Sequence, residues 1–144
     1  MKRREFLHNS AKTFMALTGA SAMASRITYA TNDRIVMGSI GLGGRGRDHA
    51  RLFAGPDGTY LKYLCDPDME RIGNFPDQIE RMQKQPVTAV QDMRRIFEDP
   101  EVDAVCVATC DHWHGLATVW ACQAGKDVYV EKPASHNIWE GRVM

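Results

Sequence analysis

No run of about 18 consecutive apolar residues, the length a helix needs to cross a bilayer, occurs in this chain, so nothing in it reads as a transmembrane span. Cysteine is sparse: Cys65, Cys106, Cys110 and Cys122 form neither a C-x-x-C pair nor a zinc-finger spacing. That argues against a structural zinc and against a disulfide framework. Cys65 and Cys106 lie in apolar runs, where a small thiol packs as core. Net charge is also lacking, because 18 basic and 18 acidic side chains cancel over 144 residues. The cancellation is uneven. Residues 1–30 hold Lys2, Arg3, Arg4, Lys12 and Arg26 against Glu5 alone, so acids outnumber bases in the remainder. A mildly acidic body is a poor nucleic-acid surface. Internal repeats and low-complexity segments are missing as well. What remains is a length sufficient for one domain with a real core.

The first 30 residues stand apart. Arg3-Arg4-Glu5-Phe6-Leu7 pairs two arginines with two large apolar residues. A weakly apolar stretch over 11–24 follows, then small residues suited to cleavage at Ala22-Met23-Ala24 and Thr28-Tyr29-Ala30. The order resembles a bacterial twin-arginine export signal, with an ordinary amphipathic helix or a general secretory signal as the alternatives. The signal reading implies the twin-arginine translocase as a partner and a periplasmic or membrane-associated location. Twin-arginine export carries proteins already folded, which suits a body that must enclose an intracellular nucleotide before it leaves.

That body, residues 31–144, opens with a strand over 34–40 that runs directly into Gly41-Leu42-Gly43-Gly44-Arg45-Gly46. The turn is a G-x-G-x-x-G, and a helical pattern with Ala50, Leu52 and Phe53 follows it. A second strand over 59–65 ends at Asp66, twenty residues beyond Gly46. Strand, glycine turn, helix, strand and terminal acid in that order are what a dinucleotide requires. Gly41 lets the chain leave the strand, Gly43 lets a pyrophosphate approach the backbone, and Gly46 lets the helix lie against the strand. Gly44 and Arg45 stand among the first helical residues, whose free N–H groups attract anions. Asp66 is placed to accept the two ribose hydroxyls, and its charge repels a 2′-phosphate, favouring NAD over NADP. Asp66-Pro67 also reads as a helix cap with proline at the first helical position.

Further along, two short helices are expected between 67 and 84, broken by Gly73-Asn74 and Pro76. A strand over 86–90 follows, then a helix capped by Asp92 with Met93, Ile96 and Phe97 inward. The run over 102–108 lacks polar alternation at its far end, as a central parallel strand does. Asp111 opens a helix expected to turn Leu116, Val119 and Trp120 inward and to stop at Gly125. A fifth strand covers 127–130. Strands alternating with helices predict a Rossmann-type α/β fold, a doubly wound parallel sheet of about five strands.

Two clusters follow strands, where such sheets bind ligands. The first is Thr109-Cys110-Asp111-His112-Trp113-His114. His112 and His114 are two apart, so on a helix they diverge, and a shared metal would need an extended chain. Lining a cofactor or substrate cleft is one reading, and a polar helix start capped by Asp111 is the other. The second cluster is Glu131-Lys132-Pro133. A lysine at a strand end beside a cofactor can orient a hydroxyl or share its proton; a solvated turn with a proline stop is the alternative.

Both clusters, with Ala121-Cys122-Gln123-Ala124-Gly125-Lys126 and the E-K-P ending, resemble the Gfo/Idh/MocA oxidoreductases over roughly 33–144. The resemblance implies a nicotinamide-dependent enzyme acting on a sugar or polyol hydroxyl, often homo-oligomeric, with exported members that hold their cofactor tightly. It implies Lys132 as the catalytic residue, with Thr109, His112, His114 and Glu131 at the cofactor and no metal. Family members run to more than twice this length and carry a second α/β domain with most of the substrate site and a catalytic histidine. The expectation is therefore a truncated chain without that C-terminal substrate domain, able to hold cofactor but lacking turnover alone. Some relatives of the fold use NAD transiently to cleave glycosidic bonds, and a non-catalytic remnant is the third reading.

Overall fold

Five parallel strands stand in the order β3-β2-β1-β4-β5 in the computed structural model, which describes residues 34–55 and 57–144. They are β1 Ile35–Ile40, β2 Thr59–Cys65, β3 Thr88–Val90, β4 Ala104–Val107 and β5 Asp127–Val130. The helices are α1 Gly44–Phe53, α2 Met69–Ile72, α3 Phe75–Gln83, α4 Arg94–Phe97, α5 His114–Gln123 and α6 Ile138–Val143. The order reverses between β1 and β4, which makes the sheet doubly wound, as the alternation of elements predicts. Residues 1–30, read from sequence as an export signal, lie outside the described residues.

Each face of the sheet has its own core. Met37, Leu61 and Leu64 pack with Ala50 of α1, Ile72 of α2 and Phe75 and Ile79 of α3. On the opposite face Ile40, Val105 and Val107 pack with Ile96 and Phe97 of α4 and Ala117 and Ala121 of α5. Burial on both faces explains why β4 reads as an apolar run without polar alternation. Gly38 in β1 is part of the second core, since a Cβ there would meet Ile96 Cγ2 at 2.6 Å.

Two helix faces differ from their sequence expectation. In α1, Gly46 and Ala50 are buried while Leu52 is 63% exposed. In α5 the inward residues are His114, Ala117, Thr118 and Ala121, and Leu116 is exposed while Val119 and Trp120 are half-buried. Met69 and Met82 are exposed too. In α1 and α5 the cause is close approach: small residues let a helix lie directly on the sheet, and the larger ones turn outward. The cap of α2 is Asp68, whose carboxylate accepts from Glu70 N and Arg71 N, and not Asp66.

A polar cluster braces β2 against the segment before β4. Lys62 Nζ donates to Asp99 at 2.6 Å and Glu101 at 2.7 Å, and Tyr63 Oη donates to Asp99 at 2.8 Å. Burial alone would raise the Asp99 carboxyl, but the bonds from Lys62, the Glu101 amide and Tyr63 outweigh it and hold it at about 2. Those two carboxylates in turn hold the Lys62 ammonium above its ordinary value. A depressed carboxyl contributes stability that is complete above its unfolded value of about 3.9 and fades as pH falls through the folded one. The chain is therefore expected to lose stability between about pH 4 and pH 2. Asp99→Asn should flatten that decline in acid titrations followed by circular dichroism; an unchanged acid profile would remove Asp99 from this role.

Candidate functional site

The ends of β1 to β4 open on one cleft of about 690 Å³. Its floor is the glycine turn. Gly41 has φ +88°, a conformation that favours glycine, and a Cβ on it would meet the Ala108 carbonyl group and Thr109 N at 2.7 Å. Gly46 lies against the turn itself, where a Cβ would stand 1.8 Å from Gly41 O. Gly43 faces open space instead, with only Arg71 Nη1 near its Cβ position, at 3.9 Å. The first turn of α1 contains no acidic residue, and no side chain caps it. Its leading amides are thus available to an anion, which the helix dipole also favours.

Asp66 lines the same cleft but is only 4% exposed. Its Oδ2 accepts from Leu42 N at 2.8 Å and its Oδ1 from Asp68 N at 3.0 Å. The carboxylate thereby ties the end of β2 to the glycine turn, and each oxygen keeps a lone pair for a further donor. Two arginines not singled out from sequence, Arg71 and Arg94, also line the cleft. Arg94 is paired with Asp92, and that hydrogen bond holds the Asp92 carboxyl at about 2. Arg71 faces Asp68 at 3.8 Å. Trp113 and Trp120 close the far wall.

Of the other predicted residues, Thr109 and His112 line the cleft, whereas Gly44, Arg45, Gly46, His114, Glu131 and Lys132 do not. His112 is exposed and His114 is 2% exposed, so the two point apart, as helical spacing requires. His114 is the enclosed one of the pair. Its ring spans two backbone carbonyls, Pro133 O at 2.7 Å from Nδ1 and Thr109 O at 3.0 Å from Nε2. It braces the E-K-P turn against the end of β4. The Glu131 carboxylate reaches α1, where Oε1 lies 2.6 Å from His49 Nε2. The hydrogen bond from His49, then the one from the Lys132 amide, holds Glu131 below the usual carboxylate range. Lys132 itself is exposed on the turn.

His49 was not visible from sequence, because 82 residues separate it from Glu131. Arg71 carried a faint signal, as a basic residue shortly after the acid that ends β2. Cys65 and Cys106 are free and buried, and burial pushes each thiol up to about 12, which keeps it inert.

A family model described as "Oxidoreductase family, NAD-binding Rossmann fold" matches residues 35–144. The chain belongs to the Gfo/Idh/MocA family. A Gfo/Idh/MocA domain binds a nicotinamide nucleotide, and the glycine turn and cleft are the parts of this chain that fit one. Among curated proteins, a "Glycosyl hydrolase family 109 protein" of Solibacter usitatus is 29% identical over 131 residues, covering 85% of this chain and 30% of that protein. Among solved structures, a probable dehydrogenase from Thermotoga maritima superposes with a TM-score of 0.67 at 29% identity, over 76% of this chain and 32% of that one. Biliverdin reductase from Synechocystis, solved with biliverdin and NADP+, gives a TM-score of 0.67 at 27% identity, over 75% of this chain and 32% of its own. The chain thus spans about a third of these relatives' length.

Proposed function

We propose that this chain is the nucleotide-binding part of an exported sugar or polyol oxidoreductase that uses NAD in preference to NADP. The observation that supports it best is the cleft itself, where an uncapped helix start and the bare face of Gly43 lie beside the Asp66 carboxylate. The diphosphate would lie on the turn, and Asp66 would offer its spare lone pairs to the ribose. Arg94 is paired with Asp92, so the Asp66 charge is the element that would disfavour a 2′-phosphate. The nicotinamide would supply hydride chemistry. Lys132 would hold the substrate hydroxyl and share its proton, with the substrate domain and its histidine contributed elsewhere in the protein. Residues 1–30 would direct the folded, loaded protein through the twin-arginine translocase to the periplasm or the membrane.

Titration of the purified chain with NAD and NADP, followed by tryptophan emission, tests the binding half. Trp113 and Trp120 line the cleft, so saturable quenching is expected, at lower concentration for NAD. Absence of any saturable change would sink the reading.

A second reading is favoured by the Solibacter usitatus relative: an NAD-dependent glycoside hydrolase built on the same domain. Assaying a full-length relative separates the two. Net NADH from free sugars marks a dehydrogenase, and cleavage of aryl glycosides without NADH marks a hydrolase.

A further inference from the structure

The E-K-P turn and the helix that starts at the glycine turn are joined by one carboxylate. Glu131 is anchored by its own amide, which donates to Val107 O at 2.9 Å. Its Oε2 accepts from Lys132 N at 3.0 Å. Its Oε1 meets His49 Nε2 at 2.6 Å and Arg45 Nε at 3.3 Å. An ionised carboxylate only accepts, so Nε2 carries the proton in this bond. The two partners on α1 differ in kind. Arg45 is 66% exposed beside the helix start, where an arriving diphosphate competes for its guanidinium. The side chains of His49 and Glu131 are each only 12% exposed. The His49 ring is seated edge-on against Tyr129 with centroids 5.2 Å apart, and Phe53 lies 6.3 Å away. The histidine is therefore the fixed arm and the arginine the releasable one.

We propose that His49 is a positioning residue that acts through Glu131, linking nucleotide occupancy of the glycine turn to the placement of Lys132. With nucleotide present, Arg45 turns to the diphosphate and leaves the Glu131 carboxylate to His49 and the Lys132 amide. The His49–Glu131 bond then holds Oε2 on that amide. This rests on the nucleotide-binding reading above.

Amide exchange of the full 144-residue chain, read by mass spectrometry on the peptide that contains Lys132, tests the link with and without saturating NAD. In the parent chain NAD should slow exchange of that peptide at least about fivefold, the low end of couplings between sites. His49→Ala should reduce the slowing to less than about twofold, still at saturating NAD. His49→Gln, whose carboxamide can donate in place of Nε2, should restore it. His49→Leu, which keeps bulk against Phe53 and Tyr129 but has no donor, should not, and it replaces the alanine variant if that one fails to fold. A parent chain that binds NAD while the alanine or leucine variant keeps the full slowing overturns the link and leaves the nucleotide reading standing. A parent chain that does not bind NAD overturns both.

Discussion

Gly46→Ala is expected to destabilise the chain by about 3 kcal/mol or more and to abolish nucleotide binding. Overpacking ordinarily costs ~1–3 kcal/mol because flexible side chains yield to the added atom. Here the obstruction is backbone: the new Cβ would stand 1.8 Å from Gly41 O and 2.9 Å from Gly41 C. Relief requires either lifting α1 from β1 or changing the turn, and either movement dismantles the anion seat. Urea unfolding with an NAD titration checks both halves. Gly44→Ala is the matched control. Its Cβ meets nothing within 4 Å, and alanine gains up to ~1 kcal/mol over glycine in a helix. Equal stability of the two variants would mean that α1 does not rest on the turn as described.

Asp66→Ala is expected to have the second-largest effect, through two separable routes. It leaves the buried Leu42 N–H without its 2.8 Å partner, and an unsatisfied buried donor costs about 1–3 kcal/mol. It also removes the charge proposed to oppose a 2′-phosphate. NAD and NADP should then bind within about twofold of each other, whereas a difference of ~1.4 kcal/mol would be tenfold. Asp66→Asn divides the routes. Its carboxamide oxygen can still accept from Leu42 N, so part of the stability returns, but the charge and the preference for NAD do not. Unfolding midpoints and paired NAD and NADP titrations on the three chains decide the matter. A preference that survives Asp66→Ala would leave this carboxylate as a pin for the turn and nothing more.

These two residues also show how far the sequence could be read. Strand, turn, helix, strand and acid occur close together in the chain, and local spacing carries the geometry of Gly41, Gly43 and Gly46 almost unaided. The strands were legible as short apolar runs between turn and helix signals, and β4, covered on both faces, loses its polar alternation. Helix faces were less legible. Large apolar residues usually mark the buried side, but α5 buries Ala117 and Ala121 and exposes Leu116, because proximity to the sheet favours small residues. For Asp66, sequence offered a ribose ligand or a cap, while the cap fell to Asp68 and Asp66 took the Leu42 amide. Nothing short of the tertiary fold could bring His49 to Glu131 or set His114 between Thr109 and Pro133. The His49–Glu131 and His114–Pro133 contacts join separate elements, 82 and 19 residues apart, and no periodicity encodes them.

β1 contributes to both hydrophobic layers, Met37 to one and Ile40 to the other, and the glycine turn grows directly from its end. The turn is therefore no loosely tethered loop awaiting a ligand. Its shape is held by the buried end of a strand, so little conformational entropy remains to be lost there on binding. A phosphate group arriving at this seat meets donors already aligned, and the strength of its capture depends on contact chemistry rather than on freezing a mobile segment.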